Sequence, residues 1–346
     1  MIDIQKYCLS ENASIKDALI ALNNLSGDVQ TLFVLDEKKC MVGTLTDGDI
    51  RRKLIEGSTL EDKVTMAMHR QFRYIEKDNA DVANIKQLRE MNIVLLPSLD
   101  KDKHIVHVYN LKKHLSILPL DAVLMAGGKG ERLRPLTERT PKPLLLVGDK
   151  SIIDYNVDSL INFGVENISI TVNYLKEQIE DHFKEPREGI QVNCIRENDF
   201  LGTIGAVKNI DTFKNDVVLV MNSDLFTNID YEDFYLDFLN SDADMAAAAI
   251  PYSVNVPYGI FELDGQQVQG VREKPTFNYY ANAGIYLIKR KLLDIIPEKT
   301  FYNATDFMEA VISKGFKVTR FSLTGYWIDI GKLEDYKKAQ EFAKHL

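Results

Sequence analysis

The chain has few of the residues that mark several common protein classes. In 346 residues it carries three cysteines, one tryptophan and ten prolines. Cys8, Cys40 and Cys194 are odd in number and unevenly spaced. They match no zinc pattern and cannot build a disulfide framework, so they read as free thiols of a reducing cytoplasm. No apolar run approaches the ~20 residues of a membrane span. The opening, MIDIQKYCLSENAS, has no apolar core of the signal-peptide kind. A cytoplasmic protein without membrane contact is expected. Basic charge is also short: Lys+Arg is 42 against 51 Asp+Glu, a formal net charge of -9. That balance argues against a nucleic-acid or membrane-surface binder. A small anionic substrate stays open, because its site needs only local positive charge.

What is present is ordinary for a globular protein, with 45% hydrophobic and 27% charged residues. The length suggests two domains. Composition shifts near residue 119, where SILPL (Ser116 to Leu120) leads into DAVLMAGGKGERLRP. Pro119 disfavours a helix running through this join. The boundary is therefore placed between 1–118 and 119–346. The first part has as many Lys+Arg as Asp+Glu, so the whole negative balance falls on the second.

The first part repeats itself at an offset of 64 residues. TLFVLDEKKCMVGTL begins at Thr31 and LLPSLDKDKHIVHVY at Leu95. Asp36 aligns with Asp100, Val42 with Val106 and Leu45 with Tyr109. Each copy reads as helix, strand, turn, strand and a further short helix. In the first copy Ser14 can cap a helix whose Ile15, Ala18, Leu19 and Leu22 share one face. Two such units would bury each other's apolar sides. The pattern resembles an α+β cystathionine-β-synthase-type (CBS) domain pair, most clearly in DEKKCMVGTLTDGDIRRKL. In that family a Gly-x-x-Thr-x-x-Asp stretch contacts an adenine nucleotide. The resemblance places that role on Gly43, Thr46 and Asp49. The second copy has His107, Asn110 and Lys113 instead. Adenine-nucleotide sensing and a purely dimerising or packing role therefore both stand, and a homo-oligomer is expected.

Beyond residue 119 strand and helix signals alternate, which argues a Rossmann-like, mostly parallel sheet with helices on both faces. Ligands of such sheets sit at the carboxyl ends of the strands. DAVLMA runs directly into Gly127-Gly128-Lys129-Gly130. Glycines let backbone N–H groups close around phosphate oxygens. Between Gly127 and Lys142 there are five cations and two anions. This concentrates positive charge inside an acidic protein, where a polyphosphate would sit. A Walker P-loop needs Gly-Lys-Ser/Thr, but Glu131 follows Gly130. A dinucleotide fingerprint needs a small residue where Leu133 stands.

The stretch VLMAGGKGERLRPLTERTPKPLLLVGDKSII resembles the signature of sugar-1-phosphate nucleotidylyltransferases, and the likeness covers residues 120–346. It implies a glycine loop of Ala126, Gly127, Gly128 and Gly130 around a triphosphate. Arg132 would steady the phosphates, and Lys142 of the Pro-Lys pair would neutralise charge at the α-phosphate. The family takes one metal-binding Asp from each of two motifs, here MNSDLF and GYWIDIGK. Asp224 and Asp329 are the expected Mg²⁺ ligands, with a turn cap and a helix N-cap as their plain alternatives. Lys274 and Glu273 of REKP, Gly259 and Asn282 would hold the sugar phosphate and its hydroxyls. Gly202 and Thr203, before an expected helix, would face ribose or base, with Glu197 and Asn173 as further polar contacts. Trp327 reads as packing.

The implied reaction is attack by a sugar 1-phosphate on the α-phosphorus of an NTP, with pyrophosphate leaving. Fusion of a CBS pair to this module resembles guanylyltransferases of legionaminic-acid-type pathways for cell-surface glycans. GTP and a glucosamine- or mannose-type hexose 1-phosphate are the expected pair. Thymidylyl or uridylyl transfer to glucose 1-phosphate, or a non-catalytic nucleotide-sensing subunit, are the alternatives.

Overall fold

The computed structural model describes residues 3–76 and 81–345. The chain divides into two compact units: Met1–Leu118 with Asn162–Gly164, and Pro119–Ile161 with Val165–Leu346.

The first unit holds two three-stranded sheets of one design. In the first sheet, β1 (Cys8–Ser10) pairs in parallel with β2 (Thr31–Leu35), which pairs antiparallel with β3 (Met41–Thr46). In the second, β4 (Ile75–Glu76), β5 (Leu95–Leu99) and β6 (Ile105–Asn110) repeat that order and those directions. Helix α1 (Ile15–Asn24) starts on a capping box between Ser14 and Asp17, and buries Ile15, Ala18 and Leu22. Helices α2 (Asp47–Ile55) and α3 (Val82–Glu90) complete the unit.

The second copy departs from expectation after β6: residues 111–118 form turns and no helix. The reason is local. α2 is nucleated by a reciprocal cap in which Asp49 N–H donates to Thr46 Oγ1 and Thr46 N–H donates to Asp49 Oδ2 at 2.9 Å. Lys113 stands where Asp49 stands in the first copy, and a lysine cannot accept that hydrogen bond.

The second unit is built on a seven-stranded sheet. Its strands are β7 (Asp121–Met125), β10 (Asn167–Val172), β11 (Val192–Arg196), β12 (Val217–Asn222), β14 (Met245–Asn255), β17 (Thr276–Lys289) and β18 (Val318–Ser322). The order is β11-β10-β7-β12-β17-β14-β18, and β17 alone runs against its neighbours. The mostly parallel sheet is thus present. β12 reads VVLVMN and is buried along its first five residues, as a central strand covered on both faces must be. Small ladders add β8 (Leu146–Val147) with β9 (Lys150–Ser151), and β13 (Leu225–Thr227) with β19 (Trp327–Asp329). β15 (Ile260–Asp264) and β16 (Gln267–Arg272) form a hairpin joined to the exposed ends of β14 and β17. The helices are α4 (Ile152–Asn162), α5 (Lys176–His182), α6 (Tyr231–Asn240), α7 (Ala304–Ser313) and α8 (Leu333–Ala343).

One buried charge braces this unit. Asp154 on α4 is 6% exposed. It accepts a hydrogen bond from His182 Nε2 at 2.8 Å and is ion-paired with Arg187. Burial alone would raise its pKa, but the hydrogen bonds from His182, Ser151 and Arg187 outweigh it and hold the carboxyl below its usual value. A depressed folded-state pKa adds stability above the unfolded value, and that stability is lost as pH falls below about 4. Asp154→Asn should therefore cost roughly 1–3 kcal/mol at neutral pH, the scale of hydrogen bonds to a charged group. Thermal melting of both proteins across pH should show the gap closing on acidification. A gap independent of pH would remove the carboxylate from this role.

Candidate active site

The carboxyl ends of β7 and β12 open onto a cavity of about 670 Å³. Its floor is the glycine loop that follows β7. Each glycine there answers a different demand. A Cβ at Gly127 would lie 2.5 Å from Glu197 Oε1, so no side chain fits over that buried carboxylate. Gly130 has φ +62°, and a Cβ there would press on Thr137 and Lys142. Thr137 Oγ1 donates to the Gly130 carbonyl at 2.8 Å and fixes the loop. A Cβ at Gly128 would meet nothing within 4 Å. The fold does not require glycine there, and the free volume above it faces the cavity.

The opposite wall is charged. Lys142 is only 8% exposed and forms an ion pair with Asp224, which follows β12. The β13–β19 ladder sets Asp329 opposite Leu225, so two carboxylates a hundred residues apart in sequence are neighbours. Burial pushes the Asp329 pKa up, and the Asp224 charge pushes it further, against Lys142 and Arg132. The Arg132 guanidinium lies against Gly331, where a Cβ would be 3.4 Å from it. Asn156, buried on α4, donates to the Leu225 carbonyl at 2.9 Å and so holds the turn carrying Asp224.

The remaining wall is polar backbone and small side chains. Asn173 Nδ2 donates to the Glu197 carbonyl at 3.0 Å. Glu197 itself lies behind the wall, 1% exposed, with Leu201 N–H on Oε2 at 3.2 Å and, among the described residues, no hydrogen-bond partner on Oε1. Gly202 has φ +80° and sits against the Tyr302 backbone, where a Cβ would be 2.6 Å from the carbonyl oxygen. Thr203 Oγ1 accepts from Ala304 N–H at 2.9 Å. The helix expected after Gly202 and Thr203 is a short 3-10 turn, Gly205–Asn209.

A second cavity of about 330 Å³ shares Thr203, Asn222 and Asp329 with the first. Asn282 lines it, donating to Tyr286 Oη at 2.8 Å and accepting from Gly284 N–H at 2.9 Å. Trp327 lines it too, with Nε1–H donating to the Ala283 carbonyl at 2.9 Å. That tryptophan is both packing and cavity wall.

The structure thus gathers Ala126, Gly127, Gly128, Gly130, Arg132, Lys142, Asn173, Gly202, Thr203, Asp224 and Asp329 around one cavity, with Asn282 next door. Gly259, Glu273 and Lys274 line neither. They lie on the exposed β15–β16 arm, where a Cβ on Gly259 would be 3.1 Å from Glu273 Oε2. Sequence reasoning missed Asn222, Ser223 and Phe200 as cavity walls. Asn222 and Ser223 directly precede Asp224 at a strand's carboxyl end, which was the available signal. Phe200 and the bracing Asn156 gave none.

A glycine loop, a lysine and two carboxylates thus line one cavity at the carboxyl ends of a mostly parallel α/β sheet. The family model for "Nucleotidyl transferase" matches residues 121–345. The chain belongs to the nucleotidyl transferase family. It is 32% identical over 233 residues to the bifunctional protein GlmU of Methanocaldococcus jannaschii, covering 64% of this chain and 54% of that protein. It is 28% identical over 226 residues to the mannose-1-phosphate guanylyltransferase catalytic subunit beta of Xenopus tropicalis, covering 63% and 62%. The chain thus spans little more than half the length of these curated relatives. Among solved structures, HddC from Yersinia pseudotuberculosis aligns with TM-score 0.52 at 28% identity, over 64% of this chain and 99% of that one.

The loop geometry separates fold from ligand. Gly127→Ala should destabilise the protein by about 1–3 kcal/mol, because its Cβ displaces a packed carboxylate. Gly128→Ala should leave the melting temperature unchanged while weakening nucleotide binding in calorimetry. Normal nucleotide affinity in Gly128→Ala would show that no phosphate approaches that backbone.

Proposed function

We propose that the chain is a sugar-1-phosphate nucleotidylyltransferase that transfers GMP from GTP to a hexose 1-phosphate of the glucosamine or mannose type, releasing pyrophosphate. The observation that carries this reading is the convergence of the glycine loop, Lys142, Asp224 and Asp329 on one cavity.

The chemistry follows from those groups. A phosphate monoester is already anionic near neutral pH, so its oxygen attacks the α-phosphorus without a strong base. The chain's task is then to position two anions against their repulsion and neutralise the charge that develops. The loop N–H groups and Arg132 hold the β- and γ-phosphates, and Lys142 faces the α-phosphate. Asp224 and Asp329 offer hard oxygen donors held together against mutual repulsion, which suits Mg²⁺. When bound there, such an ion supplies Lewis-acid charge stabilisation and a template for the phosphates. The similarity to mannose-1-phosphate guanylyltransferases supports guanine. The neighbouring cavity of Asn282, Asn222 and Thr203 is the sugar side.

The same reading takes the first unit as a CBS-type pair that sets assembly or senses an adenine nucleotide. The repeated sheet order and turns support it. At the expected ligand positions Thr46 and Asp49 bond each other in the α2 cap, Asp49 also pairs with Arg52, and Met68 packs against Gly43, so a nucleotide there competes with contacts already made.

A panel of NTPs against sugar 1-phosphates, read by pyrophosphate release, tests the proposal. GTP with a hexosamine or mannose 1-phosphate should react fastest. Lys142→Ala and Asp224→Ala should each lower turnover by at least ~100-fold, the scale of one lost electrostatic contact. Preference for UTP or dTTP with glucose 1-phosphate would overturn the base assignment. Release from no pair would leave a binding subunit.

A further inference from the structure

A two-stranded arm leaves the central sheet of the second unit. The pairing of β14 with β18 ends at Ala249 and Ser322, and β17 pairs with β12 only from Ile285 onward. Between them, Ile250–Asn255 of β14 and Thr276–Ala281 of β17 have only each other as strand partners among the described residues. The β15–β16 hairpin follows at the end of this ribbon. Two strands alone are marginally stable in water, and an alternating apolar face on them calls for a cover.

The register sorts the arm's side chains by face. Tyr252 lies opposite Tyr279, and Val254 opposite Phe277, on one face. The other face is polar: Ser253 Oγ donates to Asn278 Oδ1 and Thr276 Oγ1 donates to Asn255 Oδ1, each at 2.7 Å. The hairpin repeats this division. Phe261 lies opposite Val271 and Leu263 opposite Val268, while Glu262 and Arg272 alternate with them and form an ion pair. The apolar face is open to solvent: Tyr252, Val254, Tyr279 and those four hairpin residues are each 39–62% exposed. Charge is missing as well. Neither 245–261 nor 275–288 contains Asp, Glu, Lys or Arg, in a chain that is 27% charged.

We propose that this apolar face is where two copies of the chain associate, arm against arm about a two-fold axis. Charge selects a second copy as the partner. Each chain carries a formal net charge of -9, so two copies repel each other as wholes. They meet with least opposition through a surface that bears no charged side chain. A partner recruited by its own charge would need a counter-charged patch, and this face offers none. The Glu262–Arg272 pair stays on the polar face, in water. Area points the same way. At roughly 200 Å² for a large aromatic side chain and somewhat less for Leu and Val, the open apolar area is on the order of 700 Å² per copy. A two-fold contact uses the same patch twice and so covers about 1,400 Å², within the roughly 1,200–2,000 Å² of specific, stable interfaces.

The test uses the full chain. Sedimentation velocity at micromolar concentrations should show particles of at least two chains. Phe261→Asp and Tyr279→Asp each put a charge into the paired face and should weaken association by at least ~10-fold, the scale of one aromatic anchor lost from an interface. Gln267→Lys, on the polar face, should leave association unchanged. If an aspartate variant loses its native circular dichroism, Phe261→Ser and Tyr279→Ser take its place. A photo-crosslinking amino acid at position 261 separates this face from any contact made by the first unit. In an equal mixture of light and isotopically heavy chains, light–heavy links should map to 250–282. A monomeric parent chain, unchanged association in both variants, or links that run to the first unit or stay within one chain would overturn the assignment.

Discussion

The short ladder between β13 and β19 is the constraint on which the rest of the second unit depends. It pairs Leu225 with Asp329 and Thr227 with Trp327 across a hundred residues of chain. Without it Asp224 and Asp329 would be unrelated carboxylates on separate loops. With it, two like charges sit side by side in a half-buried cleft, an arrangement that is costly unless cations share the space. Lys142 is one such cation, and it is almost fully buried against Asp224. Burial and the neighbouring Asp224 charge raise the Asp329 pKa, and Lys142 and Arg132 act against them. The turn in between is not left to itself. Asn156 reaches from α4 to the Leu225 carbonyl, so the helix that packs on the sheet also aims the carboxylate.

Charge in this chain is arranged locally. The second unit carries the whole formal excess of negative charge, yet its segment from Gly127 to Lys142 holds five cations against two anions. A glycine loop also presents backbone N–H groups, which carry no net charge and keep their direction. Its three glycines are not equivalent. Gly127 is required by the carboxylate packed beneath it and Gly130 by its left-handed backbone, whereas Gly128 is required by nothing in the fold. Under the proposed function, the free volume over Gly128 is where a phosphate would approach.

Much of this was legible in the sequence. Long apolar strands such as Val217–Asn222 and the glycine turn after Asp121–Met125 announce a parallel sheet and its ligand end, because burial on both faces leaves few residue choices. What stayed hidden depends on pairing at a distance. Asn156 looks like one polar residue in an amphipathic helix, and only the fold shows its partner. Asn222 and Phe200 become walls through the meeting of separate loops. The sugar-side expectation illustrates the opposite limit. Gly259 and Glu273 do come together, but on an arm that stands clear of both cavities. Local motifs state which residues neighbour each other and leave open where that neighbourhood lies.

The first unit extends the point to motif reading itself. Gly43, Thr46 and Asp49 have the spacing of a nucleotide contact, and the same spacing is what a helix start demands. Thr46 and Asp49 satisfy each other's backbone donors, and Met68 closes over Gly43. The second copy supplies the control within one chain. With Asn110 and Lys113 at the matching places, the cap is gone and so is the helix. The motif therefore has a sufficient structural reason to exist in the first copy, and any ligand there must compete with hydrogen bonds already made.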